Sequence, residues 1–248
     1  MSGNESSAGA MPGGVPAPGG GQLSRVFRMF TEPKAAFREL AVQPRWIVAL
    51  VVVVAASLLA QLVLAPRLDF ETTIRQTMEQ RGGQVDEAQL EQAVKGAEKG
   101  AAVFRYLSPL VIPLMFLVIA AVYFLGLKVL GSDAPYPAIF ATCIHAALPA
   151  SVVSSLLFAG VAWPRDSLTG QEAETLLKSS LGAWLSPDTA KPLLALAKAV
   201  DIFSIWQWVL LVLGFQIVGR VSRGKAVALV AVVWGVWIAG KVLLAVVL

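Results

Sequence analysis

Among 248 residues there is one cysteine and one histidine. The lone Cys143 excludes an intrachain disulfide, and the lone His145 excludes the multi-ligand His/Cys sets that hold zinc. Charge is also scarce: 15% of residues are charged, where soluble domains average about 25%. The chain lacks a Walker A loop, a dinucleotide fingerprint and an H-E-x-x-H pair. No G-x-S-x-G elbow accompanies the histidine. The apolar segments carry no aligned set of acids for a proton relay and do not divide into two matching halves. These absences direct the reading away from an enzyme or a primary transporter; no catalytic residue, metal or cofactor is expected.

What the chain has in abundance is apolar sequence. Its composition is 56% hydrophobic, with a mean hydropathy of +0.70. Five apolar stretches stand out, at 46–65, 107–130, 138–162, 202–219 and 226–248. Each approaches or exceeds the ~20 residues that span a hydrocarbon core. The expected fold is all-α: an integral membrane bundle of five transmembrane helices with an N-terminal amphipathic interfacial helix. Residues 1–22 are Gly, Pro, Ala and Ser with no apolar core, so they read as a disordered tail rather than a cleavable signal. Residues 23–45 form an amphipathic segment, and 46–248 the membrane domain. Two long loops, 66–106 and 163–198, separate the spans.

Orientation follows from the distribution of Lys and Arg. Arg25, Arg28, Lys34, Arg38 and Arg45 precede the first span against Glu32 and Glu39. The link between the last two stretches, Arg220-Val-Ser-Arg-Gly-Lys225, contains no acid. The long loops balance their charges, with six Lys/Arg and seven Asp/Glu in 66–106 and four of each in 163–198. The N-terminus is therefore expected in the cytoplasm and the C-terminus outside, in a plasma (inner) membrane. The sequence pI of about 9.4 reflects topology and anionic lipid rather than nucleic acid.

The extramembrane pieces carry helix signals. In residues 24–41, Val26, Phe27, Phe30, Phe37 and Leu40 alternate with basic residues. Such a segment can lie in the headgroup layer, pack under the bundle as a cap, or do both. Pro33 suits the first turn of a helix ending near Val42. The first loop reads as two helices joined at Gly82-Gly83, the first with Phe70, Ile74 and Met78 on one face. Asp86 and Gln89 form a cap signal for the second, which carries Leu90 and Val94. The second loop starts a helix at Thr169 with Glu172 as capping partner. Its stripe of Leu176, Leu177, Leu181 and Trp184 runs to a stop at Ser186-Pro187-Asp188. A further helix from Lys191-Pro192 is expected to run unbroken into the fourth span.

Three ionisable residues lie within or at the ends of apolar stretches and need a reason. His145 precedes Pro149, which removes the helical donor from the carbonyl of His145. It is either a proton- or ligand-sensitive site or a neutral histidine bonded to a neighbouring helix. Asp201 and Lys241 fall at similar depth on adjacent antiparallel spans, by helical rise, and are read as an ion pair or as two independently snorkelling side chains. Pro109 and Pro113 mark a bend in the second span. The pairs Ala56/Ala60, Ser151/Ser155 and Gly235/Ala239 have the spacing that lets helices approach closely. Trp163, Trp206, Trp208, Trp234 and Trp237 read as interfacial or lipid-facing anchors.

Three segments together resemble the Yip (Ypt/Rab-interacting, Yip-domain) family of polytopic membrane proteins, in its bacterial branch. The first is Phe30-x-x-Pro33-x-x-Ala36-Phe37-x-x-Leu40-x-x-x-Pro44-x-Trp46. The second is Gly131, then Phe140 and His145-Ala-Ala-Leu-Pro149, with histidine where the family commonly has an aromatic. The third is Trp206-Gln207, Gly214 and Ser222-Arg-Gly-Lys-Ala226. The resemblance spans roughly 27–248, leaving the two long loops unmatched. It implies a five-helix bundle with no catalytic residue. Eukaryotic relatives bind prenylated Rab-type GTPases, but their D-L-Y-G-P-like segment has no counterpart here. The expected function is that of a non-enzymatic protein that organises membrane lipids or recruits a membrane-protein partner or a second copy of itself. Arg25, Arg28, Arg220, Arg223 and Lys225 are the expected contacts to anionic headgroups. The alternative is a small permease or exporter subunit with a path near His145.

Overall fold

Proline and its neighbours set the entry to the bundle. The computed structural model describes residues 21–80, 85–186 and 189–247. Nearly all of the expected tail, the Gly82-Gly83 junction and Pro187-Asp188 lie outside the described residues. The first helix, α1 (Gln22–Thr31), ends at Glu32, whose φ of −136° and ψ of 58° leave the helical region, as a residue before proline prefers. Pro33 then opens α2 (Pro33–Val42), where its missing N–H removes no helical bond. Helix α2 thus has the start and end its sequence announces.

The segment packs under the bundle. Val26 and Met29 of α1 and Ala36, Phe37 and Leu40 of α2 are buried, against α3 (Ile47–Leu64), α6 (Tyr136–Ala162) and α9 (Ile202–Ile217). Leu23 and Phe27 stay exposed on the opposite face of α1.

Helix α6 is the centre of the fold. Every residue from Ala138 to Ala150 is buried, surrounded by α1, α2, α3, α9 and α5 (Glu87–Val129). Five alanines in that run (Ala138, Ala141, Ala146, Ala147 and Ala150) let the neighbours come close. The last helix, α10 (Arg223–Val247), covers α5 and α9. Among the described residues four helices, α3, α5, α6 and α10, are long and apolar enough to cross a membrane; α9, with 16 residues, is apolar but shorter.

Helix α5 is a single unit of 43 residues, about 64 Å at 1.5 Å per residue. It therefore projects well beyond a hydrocarbon core of about 30 Å. Asp86 caps it by accepting the Ala88 N–H at 2.9 Å. Pro109 leaves the Arg105 carbonyl without its helical donor, and the buried Ser108 hydroxyl donates to that carbonyl at 2.9 Å. The helix passes through both prolines without ending. The polar helix α4 (Phe70–Gln80) packs beside its projecting part.

The second loop departs from expectation. Its capping box forms between Thr169 and Glu172, but α7 (Gly170–Thr175) is only six residues long. Lys178, at φ 47°, turns the chain out of the helix, and Leu181–Trp184 is a separate 3-10 turn. The expected apolar stripe is thus split, with Leu181 and Trp184 exposed. Helix α8 (Lys191–Ala199) does not continue into α9. Val200 and Asp201 are extended, pinned by Leu181 N–H to Val200 carbonyl (3.0 Å) and Ile202 N–H to Ser179 carbonyl (3.2 Å).

Candidate functional site

Exposed cations concentrate at one end of the bundle, where α1–α2, the α5–α6 turn and the α9–α10 turn meet. Gly131 makes the first turn tight. It sits at φ 89°, donates to the Lys128 carbonyl at 3.0 Å, and places the Ser132 N–H on the Leu127 carbonyl at 2.9 Å. This paired closure of a helix end needs a left-handed residue, usually glycine. Ser132 then ties the two turns together: its hydroxyl donates to the Gly219 carbonyl at 2.6 Å. Lys225 returns the link, its Nζ donating to the Leu130 carbonyl at 2.9 Å.

The α1–α2 pair is held by one carboxylate between two arginines. Arg25 Nε donates to Glu39 Oε2 at 3.1 Å, and Arg28 pairs with the other Glu39 oxygen. Arg25 also donates to the Gln43 carbonyl at 3.3 Å. Beneath this pair, Phe37 reaches the centre of the fold. A side-chain carbon placed on Gly214 would come within 2.5 Å of the Thr142 methyl and 2.9 Å of the Phe37 ring. Only glycine lets α9 approach α2 and α6 this closely.

This geometry sorts the expected headgroup contacts. Arg25 is 4% exposed and bonded to Glu39 and Gln43, so its guanidinium is engaged as an internal tie. Arg28 is partly exposed but paired. Lys225 is exposed while its ammonium caps α5. Arg220 and Arg223 are exposed, and neither forms an ion pair among the described residues; the same is true of Lys34, Arg38 and Arg45. Arg220 stands at φ 54°, a backbone region that costs a residue with a Cβ about 1–2 kcal/mol. A glycine would sit there without strain, so a conformational cost accompanies the charge.

The three ionisable residues of the apolar stretches do not come together. His145 is 2% exposed, with Nδ1 2.8 Å from the Ala141 carbonyl of its own helix. Because a carbonyl only accepts, Nδ1 is the donor; the bond is within α6 rather than to a neighbouring helix. Thr142 likewise donates to the Ala138 carbonyl at 2.8 Å. Asp201 is the N-cap of α9, accepting the N–H groups of Phe203 (2.9 Å) and Ser204 (3.2 Å). Lys241 lies over the Trp237 ring at 4.4 Å. The expected Asp201–Lys241 ion pair is therefore not formed among the described residues: the helix end supplies the aspartate's donors and an indole face the lysine's contact. At Gly235/Ala239 no helix of the described residues packs closely, and both residues are exposed. Gly214 and Gly126 make the close contacts instead.

The family model of the Yip1 domain matches residues 27–244. The chain belongs to the Yip1-domain family. It is a multi-pass membrane protein of a non-enzymatic family. Neither a curated protein nor a solved structure matches the chain. Several of the residues quoted above for the resemblance lie at or near the basic end. Phe37 and Gly214 form the central contact, Gly131 closes α5, and Trp46 meets Phe140 edge-on at 5.1 Å.

Proposed function

We propose that this Yip1-domain protein is a non-enzymatic membrane organiser whose basic end meets the cytoplasmic leaflet and recruits lipid or a membrane-protein partner there. In this reading α9 is the fifth span, the N-terminus is cytoplasmic and the C-terminus is outside, in a plasma or inner membrane. The observation that carries the reading is the exposed set Lys34, Arg38, Arg220 and Arg223, in no ion pair among the described residues, on a face whose backbone turns are locked by Ser132 and Lys225. A fixed array of cations beside apolar side chains suits an anionic surface. The exposed Leu23 and Phe27 supply those apolar side chains. The packing does not favour a permease path beside His145, because α6 is buried without interruption from Ala138 to Ala150.

The first test is in-cell crosslinking and recovery from native membranes, with bound lipids identified in the same eluate, for the natural chain and for Arg220→Gly. The expected result is a reproducible partner or a retained anionic lipid that R220G weakens. Recovery of neither from the natural chain overturns the reading. Sidedness is tested in a Cys143→Ala background with a membrane-impermeant maleimide on intact cells. Ser167→Cys should label and Ser222→Cys should not; the reverse pattern inverts the topology.

A further inference from the structure

Between α9 and α10 lies a groove of about 640 Å³, open to the side of the bundle. Its walls are apolar, with Val209 and Val212 on one side and Val227 and Ala231 on the other. Trp208 and Trp234, with ring centroids 4.5 Å apart, line its deeper part. At the other extreme the lining changes character: Lys34 and Arg223 stand there, both exposed and neither in an ion pair among the described residues. Arg223 is also the first residue of α10, so the positive end of that helix dipole lies at the same point.

The length of the groove is informative. It runs from Gln216 back to Ile205 on α9 and from Arg223 forward to Trp234 on α10. Each wall is about 16 Å long at 1.5 Å per residue. The helices are antiparallel, so the walls cover the same depth. Half of a hydrocarbon core is about 15 Å. An apolar slot one leaflet deep, with two cations at its mouth, matches a lipid acyl chain in length and complements an anionic headgroup in charge.

We propose that this groove seats one anionic phospholipid, its phosphate between Lys34 and Arg223 and an acyl chain along Val212 and Ala231 towards the tryptophan pair. The proposal rests on the basic end meeting a leaflet, as argued above, and adds a specific seat. It also joins elements remote in sequence: Lys34 belongs to α2 and Arg223 to α10, so a bound lipid would bridge the N-terminal cap and the last helix. A second copy of the chain is the less suitable occupant, because an apolar helix face offers nothing to the paired cations.

The test uses the full chain in phosphatidylcholine vesicles containing a small fraction of brominated lipid, with tryptophan fluorescence as the readout. Brominated phosphatidylglycerol is compared with brominated phosphatidylcholine, and Trp208→Phe/Trp234→Phe protein isolates the groove signal. The expected result is a preference for the anionic lipid on the order of tenfold, as two cations near a leaflet surface supply. Lys34→Gln/Arg223→Gln should abolish the preference. So should Ala231→Phe, which fills the slot and leaves the cations in place. Equal quenching by both lipids, or a preference that survives both variants, overturns the proposal. So does disulfide capture of a second copy through Val212→Cys in the Cys143→Ala background. Equal quenching with a partner still recovered from native membranes refutes the groove alone and leaves the broader function standing.

Discussion

The two ends of this molecule are fastened by different chemistry. At the basic end, side chains reach inward. Phe37 fills the junction of three helices, Arg25 is buried on Glu39, and the Ser132 hydroxyl is buried against a backbone carbonyl of another turn. At the opposite end the buried cluster is small, comprising Val63, Ala159, Ala162 and Leu168, and backbone and exposed groups supply the rest of the joining. The two long loops meet where the Leu168 N–H donates to the Arg67 carbonyl (2.7 Å) and the Asp69 N–H donates to the Leu168 carbonyl (2.9 Å). Surface ion pairs such as Arg75–Glu87 and Lys198–Glu174 surround that seam. Buried contacts resist opening and exposed pairs contribute little. With the larger buried cluster, the basic end is expected to be the more rigid platform and the loop end to open first.

The largest effects should come from the platform. Phe37→Ala removes a fully buried ring from between Thr142 and Gly214 and should cost about 3–5 kcal/mol, read as a lower unfolding midpoint in detergent. An effect no larger than that of a loop-end substitution would erase the contrast between the ends. Glu39→Ala comes next. It strands the Arg25 guanidinium, whose side chain is only 5% exposed, and breaking such a pair costs about 3 kcal/mol when fully buried. Glu39 itself is 23% exposed, so about 2 kcal/mol is expected. Arg28→Ala, on the more exposed side of the same carboxylate, should cost less. Equal losses would mean that burial does not set the strength of this cluster.

The same contrast explains what was readable from sequence. Apolar length located the four long apolar helices and the shorter α9, and local signals located several helix starts: Pro33 for α2, Asp86 for α5 and Thr169 for α7. Each of these depends on neighbours within a few residues. What was not readable involves partners far along the chain. Arg25 looked like its surface neighbours because helical periodicity does not show that Glu39, beyond a proline break, will draw it inward. Asp201 looked like an intramembrane charge because the sequence around it has no breaker. The break is made by its own carboxylate capping α9 and by backbone bonds to Ser179 and Leu181. Gly214 stood out only as a residue of the family resemblance, and nothing near it in sequence showed that Phe37 and Thr142 would pack against it. The Lys34–Arg223 mouth had no local signature, since the two residues lie on the second and last helices.

At the loop end a smaller effect is expected, and one residue should dominate it. Arg67 donates to the Val63 carbonyl (2.6 Å), the Trp163 carbonyl (2.8 Å) and the Arg165 carbonyl (3.0 Å). It thereby closes the ends of α3 and α6 with one guanidinium fork. Arg67→Lys keeps the charge but cannot hold three fixed directions, so a loss of about 1 kcal/mol is expected. Faster proteolysis confined to 163–180 would show that the loss is local. Global unfolding at unchanged protease sites would show that the ends are not separable.

The smallest predicted effect concerns acid. Asp69 precedes α4 and accepts the Thr72 N–H at 2.8 Å and the Thr72 hydroxyl at 2.7 Å. The backbone bond, then the hydroxyl bond, holds its carboxyl below the ordinary aspartate range. A carboxylate that is more acidic in the folded chain binds fewer protons there than when unfolded. Its stabilisation is complete above a pH of about 4 and is lost as pH falls through the folded value. Asp69→Asn isolates that charge, because the amide oxygen still caps the Thr72 N–H while the negative charge is gone. The natural chain should therefore melt slightly above Asp69→Asn at pH 5, and the two should converge as pH is lowered towards 3. The side chain is close to solvent, so screening keeps the difference small. A gap that widens in acid would reverse the sign of the linkage and remove Asp69 from the account of how the loops are held.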